Sequence, residues 1–276
     1  MGREDFQRET AGIPGTEGQK GLHQRETEWV PNTEGQRGLR QGETEWVPNT
    51  EGQKGLLTVG GKGRLFYEAG LLRDELSNNT LVYGITGMGK DGEPHEGISG
   101  FLKRREPLQL TLMTMRKLAR VCPQKEKRVY IVENPAVFSK LMRVWPEAAI
   151  VCGNGQICLA ALVLLDLFDA ETAFLYAGDY DPEGLQIAQR LKERYGERLR
   201  LWKYSREFYE GYQSDVEISA KSLKKLEHIN LPELQETRQA MLQKKKAAYQ
   251  EAMLEEYLRQ VCKEILSGQN TPVKNF

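Results

Sequence analysis

Between Arg128 and Tyr204 the sequence alternates short β-branched apolar runs with helix-length stretches of periodic apolar residues, and this alternation restricts the segment to a parallel α/β sheet. RVYIVEN (128–134) reads as a strand, and Pro135 then opens a helix carrying Val137, Leu141 and Val144 on one face. AAIVCGNG (148–155) reads as a second strand ending in a glycine-rich turn. The segment ICLAALVLLDLF (157–168) that follows is so apolar that only a buried helix accommodates it. TAFLYAGDYD (172–181) is a third strand. Pro182 starts a helix with Leu185, Ala188 and Leu191 inward and Gly196 at its end, and RLRLWKY (198–204) supplies a fourth strand. The predicted order is β-α-β-α-β-α-β.

The flanks are less regular. RETEWVPNTEGQRGL at 25–39 recurs as GETEWVPNTEGQKGL at 42–56, with a diverged copy, RETAGIPGTEGQKGL, at 8–22. These units hold too few bulky apolar residues to offset the entropy of ordering, so residues 1–55 are expected to be disordered. Two readings of them stand: a repeated Trp-Val-Pro docking peptide, or a duplicated tract translated into a tail. Residues 56–127 read as a partial N-terminal domain, with a glycine-rich turn region (Gly60, Gly61, Gly63) and a helix over Leu108–Val121. Residues 128–276 form the main α/β domain, extended by a long C-terminal helix with Leu254, Leu258, Val261 and Ile265 at spacings that pack one side on its own domain or on a partner.

Lys plus Arg equals Asp plus Glu at 39 each, so a nucleic-acid track has to be local. Lys221, Lys224, Lys225, Lys244, Lys245 and Lys246 are candidates for it, or form a solvated face. No apolar run reaches the roughly 18–20 residues of a membrane helix, and the N-terminus has no signal-peptide pattern, so a cytoplasmic protein is expected. Cys122, Cys152, Cys158 and Cys262 show no CxxC spacing, which argues against zinc and against a disulfide framework.

Three acids fall at strand ends: Glu133 after the first, Asp179 and Asp181 after the third. In an open parallel sheet the crevice beyond the carboxyl ends of the strands is where ligands bind, and hard carboxylate oxygens there suit Mg²⁺ or Mn²⁺. Asp181 before Pro182 also has the form of a helix N-cap, and the two roles are compatible. Glu183 reads as a first-turn acid on the helix dipole or as a further ligand. The Gly153-Asn154-Gly155 turn either aims N–H groups at a phosphate or serves only to turn the chain.

The array VYIVEN, VCGNGQ and LYAGDYDPEGL resembles the Toprim domain of topoisomerases, primases and repair nucleases, and its Gly-Asn-Gly turn resembles the topoisomerase VI A-subunit branch. YEAGLLRDELSN, GFLKRREPLQLTL, IVENPAVFSKL, GDYDPEGLQIA and KKAAYQEAML are similar, over roughly the last three quarters of the chain, to the D subunit (JetD type) of bacterial Wadjet plasmid-defence systems. That resemblance implies a Mg²⁺- or Mn²⁺-dependent DNA endonuclease working with an SMC-type complex. It makes Glu133 the Toprim glutamate and Asp179 and Asp181 the DxD pair. DNA, the SMC-type subunits and a second copy of the chain are the expected partners, with no membrane.

Two departures are evident: the repeats stand where the family has a DNA-binding N-terminal region, and no nucleophilic tyrosine is identified. Tyr67 and Tyr83 lie upstream in apolar surroundings that suit packing. Hydrolysis therefore fits better than topoisomerase chemistry. Asp179 and Asp181 would hold one or two metals, and Glu133 would act as ligand or proton acceptor. A haloacid-dehalogenase phosphatase is disfavoured because two strands precede the DxD. The rival reading is a truncated, inactive interaction protein.

Overall fold

A computed structural model describes residues 75–155 and 157–267. The repeats, Gly60, Gly61, Gly63 and Tyr67 lie outside the described residues. Eight strands are present: β1 (Asn79–Tyr83), β2 (Ile85–Gly89), β3 (Leu108–Thr111), β4 (Leu118–Pro123), β5 (Arg128–Val132), β6 (Ile150–Cys152), β7 (Ala173–Ala177) and β8 (Leu199–Leu201). Nine α-helices accompany them: α1 (Glu96–Arg104), α2 (Leu112–Met115), α3 (Pro135–Val144), α4 (Leu159–Asp166), α5 (Pro182–Tyr195), α6 (Arg206–Gly211), α7 (Ala220–Leu223), α8 (Gln235–Lys244) and α9 (Leu254–Ser267).

The fold is α/β. Six strands form one sheet in the order β3-β1-β6-β5-β7-β8, while β2 and β4 pair separately. β6, β5, β7 and β8 run parallel, and β1 is antiparallel to both β3 and β6. The sheet is therefore mixed, with a parallel core. The boundary expected near residue 128 falls between β4 and β5, yet strands from both sides of it share this sheet, because β1 pairs directly with β6.

Burial explains the strand compositions. Val129, Ile131 and Val132 of β5 and Val151 of β6 are fully inaccessible, as expected for strands covered on both faces. Tyr130 contacts Trp145 beyond α3 and Trp202, which in turn meets Tyr257 of α9. Phe174, in the opposite pleat phase, meets Phe168 and Tyr195, which follow α4 and end α5. The first seven residues of α4 are all buried, as the apolar run over 157–168 implies. Asn134 caps α3 by accepting from Ala136 N at 2.7 Å, with Pro135 next, and Gly196 (φ 55°) ends α5.

Two helical expectations are corrected. Leu108–Val121 is not one helix but β3, the single turn α2 and β4. The start of this stretch has an apolar spacing of two (Leu108, Leu110), and β1 offers a partner for it. The long C-terminal helix is also interrupted. α8 stops where Lys245 adopts a left-handed conformation (φ 55°), and the chain then runs extended before a 3₁₀ turn, Gln250–Met253, leads into α9. The extended stretch is held by Ile218 N to Lys245 O and Ser214 N to Ala247 O, both 2.8 Å. Lys245 and Lys246 are therefore in a strap and not on a helix. In α9, Tyr257 and Val261 are buried, Leu254 and Leu258 are half-buried against the core, and Ile265 is exposed.

Candidate metal centre

The parallel core has its strand order reversal at β5, whose chain proceeds to β6 on one side while β7 lies on the other. The crevice between the carboxyl ends of β5 and β7 is thus a topological switch point. Register does the rest: Val132 pairs with both Cys152 and Ala177, so the three strands end level with one another. Glu133 follows one end and Gly178-Asp179 the other. Glu133 continues the pleat phase of Val129 and Ile131, the face shared by Tyr176.

These acids meet. Glu133 is buried, its Oε2 accepting from Asp179 N at 2.8 Å and its Oε1 from the Tyr176 hydroxyl at 3.0 Å. Asp179 Oδ1 accepts from Gln250 N at 2.7 Å. Asp181 caps α5, its Oδ1 accepting from Gly184 N at 2.7 Å, so the N-cap role is realised beside the other acids. Glu183, in the first turn of α5, is engaged by Lys225 in an ion pair. Among the described residues no group of three carboxylates, histidines or cysteines is arranged to hold a metal ion, and each acid has at least one oxygen bonded to a protein donor.

Two glycines permit this approach. A Cβ on Gly178 would lie 2.4 Å from the Tyr176 hydroxyl and 2.9 Å from Glu133 Oε2. One on Gly184 would lie 2.1 Å from Asp179 O, blocking the first turn of α5 from the loop. Tyr204 donates to that same Asp179 carbonyl at 2.6 Å, and its ring stacks on Tyr180 with centroids 4.5 Å apart.

Electrostatically the cluster is under strain as a set of anions. Burial first, then the charges of Asp179 and Asp181, push the Glu133 carboxyl up to about 8, against the opposing bonds from Asp179 N and Tyr176. Burial likewise raises Asp179 to about 6, with Asp181 and Glu251 adding to it. Asp181 is raised mainly by burial and opposed by its bond from Gly184. Desolvated carboxylates this close favour either a proton or a cation.

Sequence reasoning missed the strap that walls the crevice. Tyr180 and Ala248 exchange backbone bonds of 2.7 and 3.0 Å, placing Lys246–Glu251 against the DxD loop. The fully buried Gln250 reaches both acid loops, since its Oε1 accepts from Asn134 N at 3.1 Å. Glu251 bonds the Asn134 side chain, and the half-exposed Tyr249 has its ionisation raised by burial and by the charges of Asp181 and Asp179. The only sequence signal was KKAAYQEAML itself, a string whose apolar and polar residues fit no single helical face.

Other expectations are placed as follows. Gly153 N and Gly155 N bond Val132 O at 2.8 Å and Glu133 O at 3.2 Å, so these two donors brace the chain and are not available to a phosphate. Tyr83 is buried and donates to Pro146 O at 2.8 Å, a packing role. Lys246 pairs with Asp215, and Lys221, Lys224, Lys244 and Lys245 are exposed. All four cysteines are free thiols.

Residues 108–261 match a family model described as Protein of unknown function C-terminus (DUF2399). The chain belongs to that family. The DUF2399 match begins at β3, contains Glu133, Asp179, Asp181 and Gln250, and ends inside α9. β1, which joins β3 to the parallel core, lies outside it. No curated protein matches the chain. No helix among the described residues is long and apolar enough to cross a membrane.

Proposed function

We propose that this DUF2399 protein is a Mg²⁺- or Mn²⁺-dependent DNA endonuclease subunit of the Toprim type, acting as the D subunit of a Wadjet-like SMC complex. The observation that carries this reading is the contact of the Glu133 carboxylate with the backbone of Asp179 at the switch point of the parallel core, with Asp181 alongside. The donor set fits the cation: hard oxygens, few in number, with Asp179 committing only one oxygen to the protein. The raised ionisation of Glu133 and Asp179 supports the same fit, because a dication supplies the charge that these desolvated anions lack.

When bound, the metal would polarise a scissile phosphodiester and acidify a water. Asp179 and Asp181 would hold it. Glu133 would act beside them as a ligand or proton acceptor. DNA and SMC-type subunits as partners rest on the sequence resemblance.

One observation favours the rival reading of an inactive interaction protein: both Glu133 oxygens are already occupied, by Asp179 N and by Tyr176. Plasmid cleavage decides between them. With Mg²⁺ or Mn²⁺ the assembled complex should nick or cut plasmid DNA, and Asp179→Ala should abolish it. Equal cutting by wild-type and Asp179→Ala complexes would remove the acid centre as the nuclease.

A further inference from the structure

The two acid loops are not held by β5 and β7 alone. Glu133 reaches Asp179 N at 2.8 Å, Asp179 reaches Gln250 N at 2.7 Å, and Asn134 N, next to Glu133, reaches Gln250 Oε1 at 3.1 Å. These bonds, with the peptide between Glu133 and Asn134, close a ring through both acid loops and the strap. Gln250 is the member that contributes through both backbone and side chain. Its carboxamide is fully buried, and the donor it faces fixes which amide atom points there. On one side Ala248 is locked to Tyr180 by a reciprocal pair of backbone bonds; on the other a 3₁₀ turn runs into α9, whose Tyr257 and Val261 are buried. The clamp is thus anchored from both directions.

We propose that Gln250 is a positioning residue that sets the spacing and aim of the Glu133 and Asp179 carboxylates for a divalent cation, an assignment that rests on the metal-site reading above. Without the side-chain bond, the hydrogen bond left between the Glu133 loop and the strap is that of the half-buried Asn134 side chain to Glu251. The Glu133 carboxylate then keeps its bond from Asp179 N, but the loop that carries it loses the brace from Gln250. Carboxylates at loop ends do not hold ångström tolerances unaided. Supports one bond removed from a metal typically change its affinity 10–100-fold.

The test is Mn²⁺ titration of the full chain, followed by the spectroscopic signal of free Mn²⁺, with thermal unfolding in parallel. Gln250→Met keeps the volume and removes the acceptor; it should weaken Mn²⁺ binding by about 10–100-fold while retaining a cooperative transition. Gln250→Glu restores an acceptor for Asn134 N and should recover most of the loss. A packing role would leave Gln250→Met binding Mn²⁺ as the wild type does, and that result overturns the proposal. Should Gln250→Met fail to fold, Gln250→Asn takes its place. It draws the acceptor back by one carbon, and unchanged Mn²⁺ affinity there is equally fatal. A wild-type protein that binds no Mn²⁺ at millimolar concentration removes the metal site and this assignment with it. One that binds Mn²⁺ yet cuts no DNA removes only the nuclease reading.

Discussion

The loops leaving β6 and β7 lie at the same edge of the sheet, both contain glycine, and both donate backbone N–H groups toward the end of β5, yet what they hold differs. The β6 loop gives Gly153 N and Gly155 N to the carbonyls of Val132 and Glu133. The β7 loop gives Asp179 N to the Glu133 carboxylate. A donor spent on a carbonyl fixes the path of the chain and leaves its charge unchanged. A donor spent on a buried carboxylate fixes an ionisable group and opposes the rise in its pKa. One loop braces the path of the chain; the other holds an ionisable side chain.

This contrast is sharpest in activity. Asp179→Ala should lower metal-dependent DNA cutting by about a thousandfold or more, since a lost ligand is worth several kcal/mol and each 1.4 kcal/mol is about tenfold. Asn154→Ala in the β6 loop should leave the rate within a few-fold. Comparable losses in both loops, measured by plasmid nicking, would erase the distinction.

The next effect is on stability. In the metal-free protein the Glu133 carboxyl is raised from 4.5 to about 8, so its favourable contribution is complete below about pH 4.5 and is lost as pH rises to about 8. Asp179 acts in the same direction between 3.8 and about 6. Glu133→Gln should therefore gain on the wild type through this window, by an amount on the order of 4 kcal/mol at pH 8 at most, read by denaturant unfolding at several pH values. Added Mn²⁺ should stabilise the wild type more at pH 8 than at pH 5. A flat difference across pH would show that Glu133 is not desolvated.

Smaller again is the glycine comparison. Gly178→Ala puts a methyl group against the Tyr176 hydroxyl and Glu133, and should cost about 1–3 kcal/mol as overpacking does. Gly155→Ala meets nothing within 4 Å and carries only its φ of +78°, a cost of about 1 kcal/mol. Thermal unfolding separates the two.

Smallest should be Lys224→Ala, on an exposed residue near the Lys225–Glu183 pair. It should lower the salt dependence of DNA affinity by about one unit if it meets a phosphate, and by nothing if it only solvates the surface.

The parallel core and its acids were legible in the sequence because each element advertises itself locally. Continuous apolar runs mark strands covered on both faces, Pro135 and Pro182 mark helix starts, and Asp179-x-Asp181 follows a strand directly. β3 was not legible, since Leu108 and Leu110 choose a strand only because β1 stands ready to pair with them. Nor was the strap: nothing near Gln250 says that it will bond Asn134, 116 positions earlier. Partners that distant leave no periodicity to read.

The ring closed by Gln250 also orders events in time. During synthesis all three acids leave the ribosome well before the strap does, so a nascent chain carries Glu133, Asp179 and Asp181 before the bonds to Gln250 can form. The centre is finished only when residues beyond 250 have been made and docked. A chain cut short before that point would keep every acid and lack Gln250, the residue whose bonds tie the Asp179 loop to Asn134.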